Sequence, residues 1–314
     1  MEVKRRSMAL FGKMIVLFVY MMIGYFCYRK KFLDDRASKT ISFLVLNFAS
    51  PALVISGAVN RSGDVEGGLL PTVLAAIGLF AGLVLVAMVL PALLRVPVEK
   101  RGVYRLMTIF SNIGFMGFPV VQAMFGDEAL LHTAIFQIPY NLLIYTYGIY
   151  ELTAGAGAGG GKTRFEWRKM INVGVIACFV TIAIYASGIK TPVFFNEVMA
   201  GLGALTAPLS MIVIGIALAK IPIKSLFADG RLLVFSLIKL LVLPIPGMMV
   251  AKALLGDRAL LLGVMMVMLA TPVGSMTTML AEQYGGDTQT TSRGVALSTL
   301  LSVITIPIVG MLTL

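Results

Sequence analysis

The chain has 314 residues, of which 58% are hydrophobic and only 13% are charged, and its mean hydropathy is +0.93. Soluble domains carry about 25% charged residues, so this composition excludes a soluble globular protein and indicates an all-α polytopic membrane protein. The net charge of +11 does not indicate nucleic-acid binding, because the basic residues occupy short loops between apolar runs, as in membrane proteins generally.

Ten apolar segments follow one another along the chain, and each is long enough to cross a bilayer. A spanning helix needs roughly 20 apolar residues. The first segment is too long for a signal peptide, and no small-residue cleavage site follows it. The predicted spans are residues 8–28, 38–59, 69–94, 103–125, 130–152, 170–189, 198–219, 232–255, 259–284 and 291–313.

The longest break between these segments is "TAGAGAGGGKTRFEWRK", residues 153–169. Its Gly/Ala run predicts a flexible linker, and Trp167 among basic residues suits a membrane interface. The run ends in Gly-Lys-Thr, but no soluble strand precedes it and no Mg²⁺-binding partner accompanies it, so we interpret it as a linker rather than a nucleotide loop. The linker separates two five-helix units, residues 1–152 and 170–314.

The distribution of basic residues predicts the orientation in the membrane. Cytoplasmic loops carry an excess of Lys and Arg, which here favours a cytoplasmic position for the odd-numbered loops and an outside position for both termini. The basic N-terminus argues the other way, but the summed bias outweighs it. The odd-numbered loops hold Arg29, Lys30, Lys31, Arg36, Lys39, Arg95, Lys100, Arg101, Arg105, Lys162, Arg164, Arg168, Lys169, Lys220, Lys224, Arg231 and Arg293.

Prolines recur at a nearly constant separation in the two halves of the chain. The pairs are Pro51 with Pro208, Pro91 with Pro244, and Pro119 with Pro272. An odd number of helices per unit requires the second copy to enter the membrane upside down, so the spacing predicts an inverted repeat. The alternative is coincidence, because membrane-spanning helices contain proline more often than soluble ones.

The stretch "SNIGFMGFPVVQ", residues 111–122, predicts a break in the fourth span. Pro119 disfavours helical geometry in the residue before it, and Gly114 permits unusual backbone angles. We therefore predict one half-helix that ends near Gly114 and a second that begins at Pro119. The ninth span predicts a similar break at Thr271 and Pro272.

Two broken helices of an inverted repeat should cross near the middle of the membrane. Broken backbone is tolerated there only where protein or a water-filled cavity covers it. Helix N-termini that meet at the crossing would bring partial positive charge and free N–H donors together, which predicts a site for an anion such as a carboxylate. Asn112 and Thr271 lie beside the breaks as polar contacts. The alternative is a pair of proline kinks that shape packing only.

Lys239 is the ionisable residue that lies deepest in a predicted span, about 10 Å from its end at 1.5 Å per residue. As a functional residue it would supply a fixed positive charge near the crossing, where it could pair with the substrate or replace a bound cation. The alternative is a lysine that extends its amine to the headgroups. No Asp or Glu lies at the midplane, so a carboxylate proton relay has little support.

No catalytic or metal-binding constellation is evident in the sequence. His132 is the only histidine and is expected on the surface at an extracellular helix start. Cys27 and Cys178 lie in separate apolar segments and are interpreted as small buried hydrophobes rather than a disulfide. We therefore expect no enzymatic activity, no metal and no cofactor, with coupling to a proton or ion gradient left open.

The order and spacing of these motifs resemble the auxin efflux carrier family, which includes bacterial permeases and plant auxin carriers. The resemblance runs along nearly the whole chain. The short central linker resembles that of the bacterial branch, whose members are often labelled malate or malonate permeases. The similar stretches are "NFASPALVISG" (47–57), "SNIGFMGFPVVQAMFG" (111–126), "QIPYNLLIYTYG" (137–148), "IKLLVLP" (238–244), "TPVGSMTTMLAEQYGGD" (271–287) and "TSRGVALSTLLSVITIPI" (291–308).

The resemblance implies ten helices in two inverted repeats, similar to bile acid:sodium symporters, with the broken helices four and nine crossing in a mobile transport subdomain beside a scaffold. It implies a homodimer through the scaffold helices, embedded in membrane lipid of the bacterial inner membrane. By position, Asn112 matches the crossover asparagine, and Pro119 and Pro272 match the crossover prolines. The candidate substrate site comprises Asn47, Asn112, Ile113, Gly114, Pro119, Gln137, Asn141, Thr271, Pro272, Val273, Gly274 and Ser275, with Lys239 as a supporting charge.

The favoured function is therefore a secondary transporter for a small organic anion, a mono- or dicarboxylate similar to auxin or malate. The resemblance implies an elevator-like alternating-access motion. The alternatives are a passive anion channel and a transporter of a non-anionic small molecule. Rings of polar or charged side chains, which would favour a channel, are not found in the sequence.

Overall fold

The computed structural model describes residues 2–59, 69–155 and 172–314, and all regular elements in these ranges are helical. Short π-helical turns join several helices into continuous rods. Residues 156–169 of the predicted linker, including Trp167, lie outside the described residues, whereas residues 153–155 continue a helix. The helices of the first half are α1 (Glu2–Arg29), α2 (Asp35–Leu44), α3 (Ser50–Val59), α4 (Leu70–Leu93), α5 (Val98–Ile109), α6 (Phe118–Phe125), α7 (Leu130–Leu143) and α8 (Ile149–Gly155).

The second half also contains long rods and a broken helix, and it has one of the four π-helical turns, Ile238–Val242. The π-helical turns lie at Val45–Ala49, Ile113–Gly117, Ile144–Gly148 and Ile238–Val242, and a 3₁₀ turn lies at Asp127–Ala129. The helices are α9 (Val173–Ser187), α10 (Val193–Ala204), α11 (Thr206–Ala219), α12 (Ile223–Leu226), α13 (Gly230–Leu237), α14 (Pro244–Leu255), α15 (Ala259–Ala270), α16 (Ser275–Gln283) and α17 (Thr288–Thr313).

The helices confirm an all-helical, polytopic membrane protein. Six helical rods among the described residues are long and apolar enough to cross a bilayer, and three shorter apolar helices accompany them. Their outer faces expose large apolar side chains, such as Leu70, Leu74 and Leu85 of α4, which a lipid environment accommodates. The arrangement as ten spans in two inverted repeats stays a prediction. The six rods are Gly12–Arg29, Asp35–Gly57, Leu70–Leu93, Val193–Ala219, Gly230–Leu255 and Thr288–Thr313.

The rods form two packed groups that face each other. In the first group, α1 packs along α11, and α3 packs against α9 and α10. Glycines allow this close approach, because a Cβ on Gly203 would lie 2.9 Å from the Cα of Leu53, and one on Gly215 would overlap the Met21 carbonyl oxygen. In the second group, α5 contacts α4 and α8, while α17 contacts α13, α15 and α16.

Ion pairs connect the ends of helices that border the predicted odd-numbered loops. Lys220 pairs with Asp35 at 2.6 Å, and Arg105 pairs with Glu151 at 2.8 Å. Lys100 pairs with Asp287, the N-cap of α17, at 2.8 Å. The pairs join the first loop to the seventh, and the third loop to the fifth and ninth. We call the helix ends at these odd-numbered loops the basic face.

The carboxyl group of Asp287 has a pKa below its usual value. Burial by itself would raise the pKa of the Asp287 carboxyl, but hydrogen bonds from Lys100 and from the N–H and hydroxyl of Thr290 outweigh it and lower the pKa to about 2. A carboxylate whose pKa is lowered by folding stabilises the folded state above its unfolded pKa of about 3.9, and this contribution disappears as the pH falls through the folded value. The pair therefore ties α5 to α17 at neutral pH.

The proline spacing that predicted the repeat does not correspond to equivalent positions. Pro51 and Pro208 both lie in the first turn of a helix, but Pro91 lies near the end of α4 while Pro244 begins α14. Pro119 lies in the first turn of α6, whereas Pro272 lies in extended backbone between α15 and α16. The pairs Pro91 with Pro244 and Pro119 with Pro272 therefore lie at different places within their helices, and the inverted repeat stays a prediction.

The prediction that His132 lies on the surface is wrong. Its side chain is 3% exposed, and Nδ1 lies 2.7 Å from the hydroxyl oxygen of Thr72 in α4. The contact ties α7 to α4. The sequence did not indicate it, because His132 follows two acidic residues at a helix start, a position that resembles a solvent-exposed end.

Candidate functional site

The two predicted breaks meet and cross at the centre of the second group. Backbone around Ser111 pairs with backbone around Val273 in an isolated antiparallel β-bridge. The Asn112 N–H donates to the Pro272 carbonyl at 2.8 Å, and the Gly274 N–H donates to the Phe110 carbonyl at 2.9 Å. These bonds satisfy backbone groups that lipid would leave unpaired. We call residues 110–112 and 271–274 the crossover.

The first break lies upstream of its predicted position. The half-helix α5 ends at Ile109 rather than near Gly114, and helical structure resumes at Ile113 rather than at Pro119. Pro119 is the second residue of α6, which directly follows the π-helical turn Ile113–Gly117, so it lies within helical structure rather than at its start. Gly114 has no positive φ, so glycine flexibility does not cause the break. Pairing with residues 272–274 fixes the extended backbone instead.

Gly274 allows the two extended segments of the crossover to approach each other, and Ser298 holds the second segment in place. A Cβ on Gly274 would lie 2.9 Å from the Ser111 carbonyl oxygen and 3.2 Å from that of Phe110, so a larger residue would push the segments apart. The hydroxyl of Ser298 in α17 accepts a 3.1 Å hydrogen bond from the Val273 N–H. The crossover is therefore fixed by both its own backbone and the neighbouring helix.

Lys239 lies directly behind the crossover. Its side chain is 1% exposed, and Nζ donates to the Thr108 carbonyl and to the Ser111 hydroxyl, both at 2.9 Å. The amine therefore points into the protein and does not extend to the headgroups, so the second interpretation of Lys239 is wrong.

A cavity of about 640 Å³ lies between the two groups of helices. The crossover forms one end, and the basic face forms the other, where Lys39 and Lys220 line the wall. The middle of the wall is mainly apolar. The lining residues are Ser38, Lys39, Ser42, Phe43, Leu46, Asn47, Asn112, Phe115, Val213, Ile214, Ala217, Leu218, Lys220, Ile221, Ser275, Thr278, Met279, Ser292, Val295, Ala296 and Thr299.

Three buried polar atoms of side chains at the crossover end of the cavity have no protein partner among the described residues. They are Nδ2 of Asn112 and the hydroxyl oxygens of Thr278 and Thr299. The Oδ1 atom of Asn112 accepts a 3.3 Å hydrogen bond from the Phe115 N–H, and this bond directs the amide NH₂ away from the helix. Unpaired buried polar groups are uncommon and require an explanation such as a ligand.

The comparisons with known proteins agree with this architecture. A family of membrane transport proteins matches the chain in two stretches, residues 9–160 and 161–309, which together cover nearly the whole chain. The chain belongs to this membrane transport protein family. The match confirms the resemblance to the auxin efflux carrier family.

Relatives of this family member come from archaea and bacteria. An uncharacterized transporter of Methanocaldococcus jannaschii is 24% identical over 307 residues, which cover 96% of this chain and 97% of the relative. An uncharacterized transporter of Methanothermobacter thermautotrophicus is 23% identical and covers 92% and 94% of the two chains. The uncharacterized transporter YfdV of Escherichia coli is 22% identical and covers 95% of each.

Three of the residues predicted to form the substrate site line the cavity. These are Asn47, Asn112 and Ser275. Ile113, Gly114, Pro272, Val273 and Gly274 build the crossover or its immediate neighbourhood without lining the cavity. Their contribution is to position Asn112 and Ser275.

The other predicted site residues lie away from the cavity wall. The Asn141 side chain bonds to the Gln137 carbonyl at 2.8 Å and accepts from Asn172 at 3.2 Å, which ties α7 to the start of α9. The Thr271 hydroxyl bonds to the Met268 carbonyl at 3.3 Å. Gln137, Asn141, Thr271 and Pro119 are not among the residues that line the cavity.

Two lining residues with unpaired hydroxyls, Thr278 and Thr299, were not predicted. Thr278 lies one turn after Ser275 on α16. Thr299 belongs to "ALSTLLSVITI", in which Ser298, Ser302 and Thr305 recur at helical spacing. Polar residues on one face of a spanning helix indicate a protein-covered or wet surface, but Thr299 lies beside that stripe rather than in it, so the stripe did not indicate Thr299.

Proposed function

We propose that this transporter moves a small organic anion, a mono- or dicarboxylate, whose carboxylate binds at the crossover end of the cavity. The observation that carries the proposal is that three buried polar groups without a protein partner among the described residues, on Asn112 of the crossover, Thr278 and Thr299, line the same cavity as the start of α16. Asn112 Nδ2 can only donate, and the hydroxyls of Thr278 and Thr299 can donate as well. Hydrogen bonds to a charged acceptor are roughly twice as strong as neutral ones.

The charges around the cavity favour an anion. Lys39 and Lys220 line its basic end, and none of the described residues that line the cavity is acidic. The N-terminus of α16 begins at the crossover with Ser275, and the first N–H groups of a helix have no intrahelical partner. Such an N-terminus carries about half a positive charge. A carboxylate would meet hydrogen-bond donors and positive potential together.

The position of the cavity between the two groups of helices supports alternating access. We infer that the second group, which contains the crossover, moves relative to the first group, formed by α1, α2, α3, α9, α10 and α11. This would be an elevator-like motion in a protein of two inverted five-helix repeats. The antiparallel crossing of two broken helices is what supports the repeat. By the positive-inside rule the basic face is cytoplasmic, so this conformation opens inward, with both termini outside a bacterial inner membrane.

Thermal unfolding with matched pairs of acids and amides tests the proposal. Purified protein is heated with a panel of mono- and dicarboxylates and with the primary amide of each acid. A ligand that binds the folded state raises the apparent melting temperature, by an amount that increases with concentration. We expect at least one acid to stabilise the protein and its amide, which has similar shape but no charge, to have little effect. Equal stabilisation by acid and amide would contradict an anion site and favour a neutral substrate.

Thr299→Val should weaken anion binding without loss of stability. Valine keeps the shape of threonine but removes the hydroxyl, and a single hydrogen bond to a charged acceptor contributes about 1.5–3 kcal/mol, so we expect a roughly 10- to 150-fold loss of affinity. Thr305→Val is the matched control, because Thr305 lies on the same helix with a similarly unpaired buried hydroxyl but does not line the cavity. Equal affinities of the two variants in ligand titrations would contradict a role for Thr299.

A further inference from the structure

Lys239 supplies a buried amine that the proposed substrate contacts do not use. It belongs to the π-helical turn Ile238–Val242 between α13 and α14, and π-helical turns frequently mark functional sites. A lysine inside a membrane protein is expensive to bury and is a functional candidate by default. Its amine donates hydrogen bonds to the Thr108 carbonyl and to the Ser111 hydroxyl. Both acceptors belong to the first broken helix and the extended segment that follows α5.

The Thr108 carbonyl is one of the last acceptors of the half-helix α5. The final four carbonyls of a helix have no intrahelical partner, and the C-terminus carries about half a negative charge that favours cations. At the end of α5, the Leu106 carbonyl accepts from the N–H of the C-cap residue Phe110, and the Phe110 carbonyl accepts from the Gly274 N–H. The ammonium of Lys239 satisfies the Thr108 carbonyl between these two.

Broken helices of secondary transporters often use such C-terminal carbonyls to coordinate a coupling cation. A cation site of this kind needs several oxygen ligands. Here the ammonium occupies the place between a helix-terminal carbonyl and a hydroxyl. Among the described residues, the ion pairs that involve Asp or Glu lie at the helix ends of the basic face, and none of them includes Lys239.

We propose that Lys239 is a built-in replacement for a bound cation, so that the crossover keeps its geometry and positive potential without Na⁺ or another small cation. Lys239 is thus a positioning residue, which acts on the substrate through Ser111 and Asn112. The cation replacement is argued from the burial of Lys239 and its two hydrogen bonds. Its consequence, that anion binding needs no Na⁺, rests on the proposed function.

Thermal unfolding without any organic anion tests the cation replacement. Wild-type protein is heated in NaCl, KCl and choline chloride at equal ionic strength, and we expect the same melting temperature in all three. Lys239→Met removes the charge and leaves the Thr108 carbonyl and the Ser111 hydroxyl without their partner. We expect this variant to melt several degrees lower in choline and to recover part of the loss in NaCl or with methylammonium.

Three further variants complete the design. Lys13→Met is the control, because Lys13 is an exposed lysine of α1 and its loss should create no cation response. Lys239→Gln keeps one donor for the Thr108 carbonyl and should show the Na⁺ response even if the Met variant does not fold. Lys239→Arg keeps the charge and should show none. Charge-removing variants that melt lower but ignore every small cation would assign Lys239 a structural role only and overturn the proposal.

Adding the carboxylate panel separates this inference from the proposed function. If a carboxylate stabilises wild type only when Na⁺ is present, the cation replacement fails while the anion site stands. If no carboxylate stabilises wild type but the charge-removing variants gain a Na⁺ response, the anion site fails while the cation replacement stands. The full account predicts stabilisation of wild type to the same extent in NaCl and in choline chloride.

Discussion

Asn112→Asp should abolish anion binding while leaving the protein folded. Aspartate keeps the Oδ1 acceptor that caps the Phe115 N–H, so the helix start survives. The substitution removes the Nδ2 donor and places a negative charge at the crossover end of the cavity. Like charges in an interface cost several kcal/mol, so we expect affinity for the carboxylate to fall by roughly 100-fold or more. Ligand titration followed by thermal unfolding measures this loss.

Asn172→Asp is the matched control for this variant. Asn172 caps α9 in the same way, since its Oδ1 accepts a 3.1 Å hydrogen bond from the Val175 N–H, but it does not line the cavity. We expect its affinity for the anion to match that of wild type. An Asn112→Asp variant that binds the carboxylate as tightly as this control would contradict the proposed role of Asn112.

Gly215→Ala should strongly destabilise the protein, because α1 and α11 are in backbone contact at this point. A Cβ on Gly215 would overlap the Met21 carbonyl oxygen and lie 2.8 Å from the Tyr25 nitrogen. Backbone cannot move aside as a flexible side chain can. Overpacking costs about 1–3 kcal/mol and occasionally more, and we expect the upper end here, which would lower the melting temperature by roughly 5–10 °C.

Gly78→Ala serves as the comparison for this substitution. Gly78 lies in the middle of α4, and a Cβ at this position would meet no atom of another element within 4 Å. Alanine is also the better helix former by about 1 kcal/mol. We expect a melting temperature equal to that of wild type or slightly higher. If the Gly215→Ala variant has the same melting temperature as the Gly78→Ala variant, α1 and α11 do not pack as described.

Both breaks were predictable from the sequence, and the second lies at Thr271 and Pro272 as predicted, but the predicted position of the first was wrong. The pattern of Asn112, glycines and Pro119 indicated a break in the fourth span, and Pro272 indicated one in the ninth. Helical structure begins at Ile113 and continues through Pro119. Pro119 therefore lies within a helix and does not mark the extended residues before it. The extended residues Phe110 and Ser111 carry no local signal, because their conformation comes from pairing with a segment about 160 positions away.

The candidate site could be predicted only in part for a similar reason. Asn112 and Ser275 adjoin the breaks, so motif reasoning found them. A single sequence does not show whether the side chain of Thr299 faces the cavity. Hydroxyl residues in spanning helices can also bond their own backbone, so a threonine there does not by itself indicate a binding site. The depth of Lys239 in its span could be predicted from the sequence. The direction of its amine could not, because it depends on Thr108 at the end of α5 and on Ser111 just after it, which tertiary packing brings close to the amine.

Protection of a single cysteine by the bound anion tests the central claim most directly. In a background with Cys27 and Cys178 replaced by alanine, Ser275→Cys places a thiol on the cavity wall beside the crossover, and Ser187→Cys places one on the exposed end of α9. The rate of modification by a methanethiosulfonate reagent is measured with and without the carboxylate that stabilises the protein. We predict slower modification at position 275 and no change at position 187. An unchanged rate at position 275 with saturating carboxylate would contradict an anion site at the crossover.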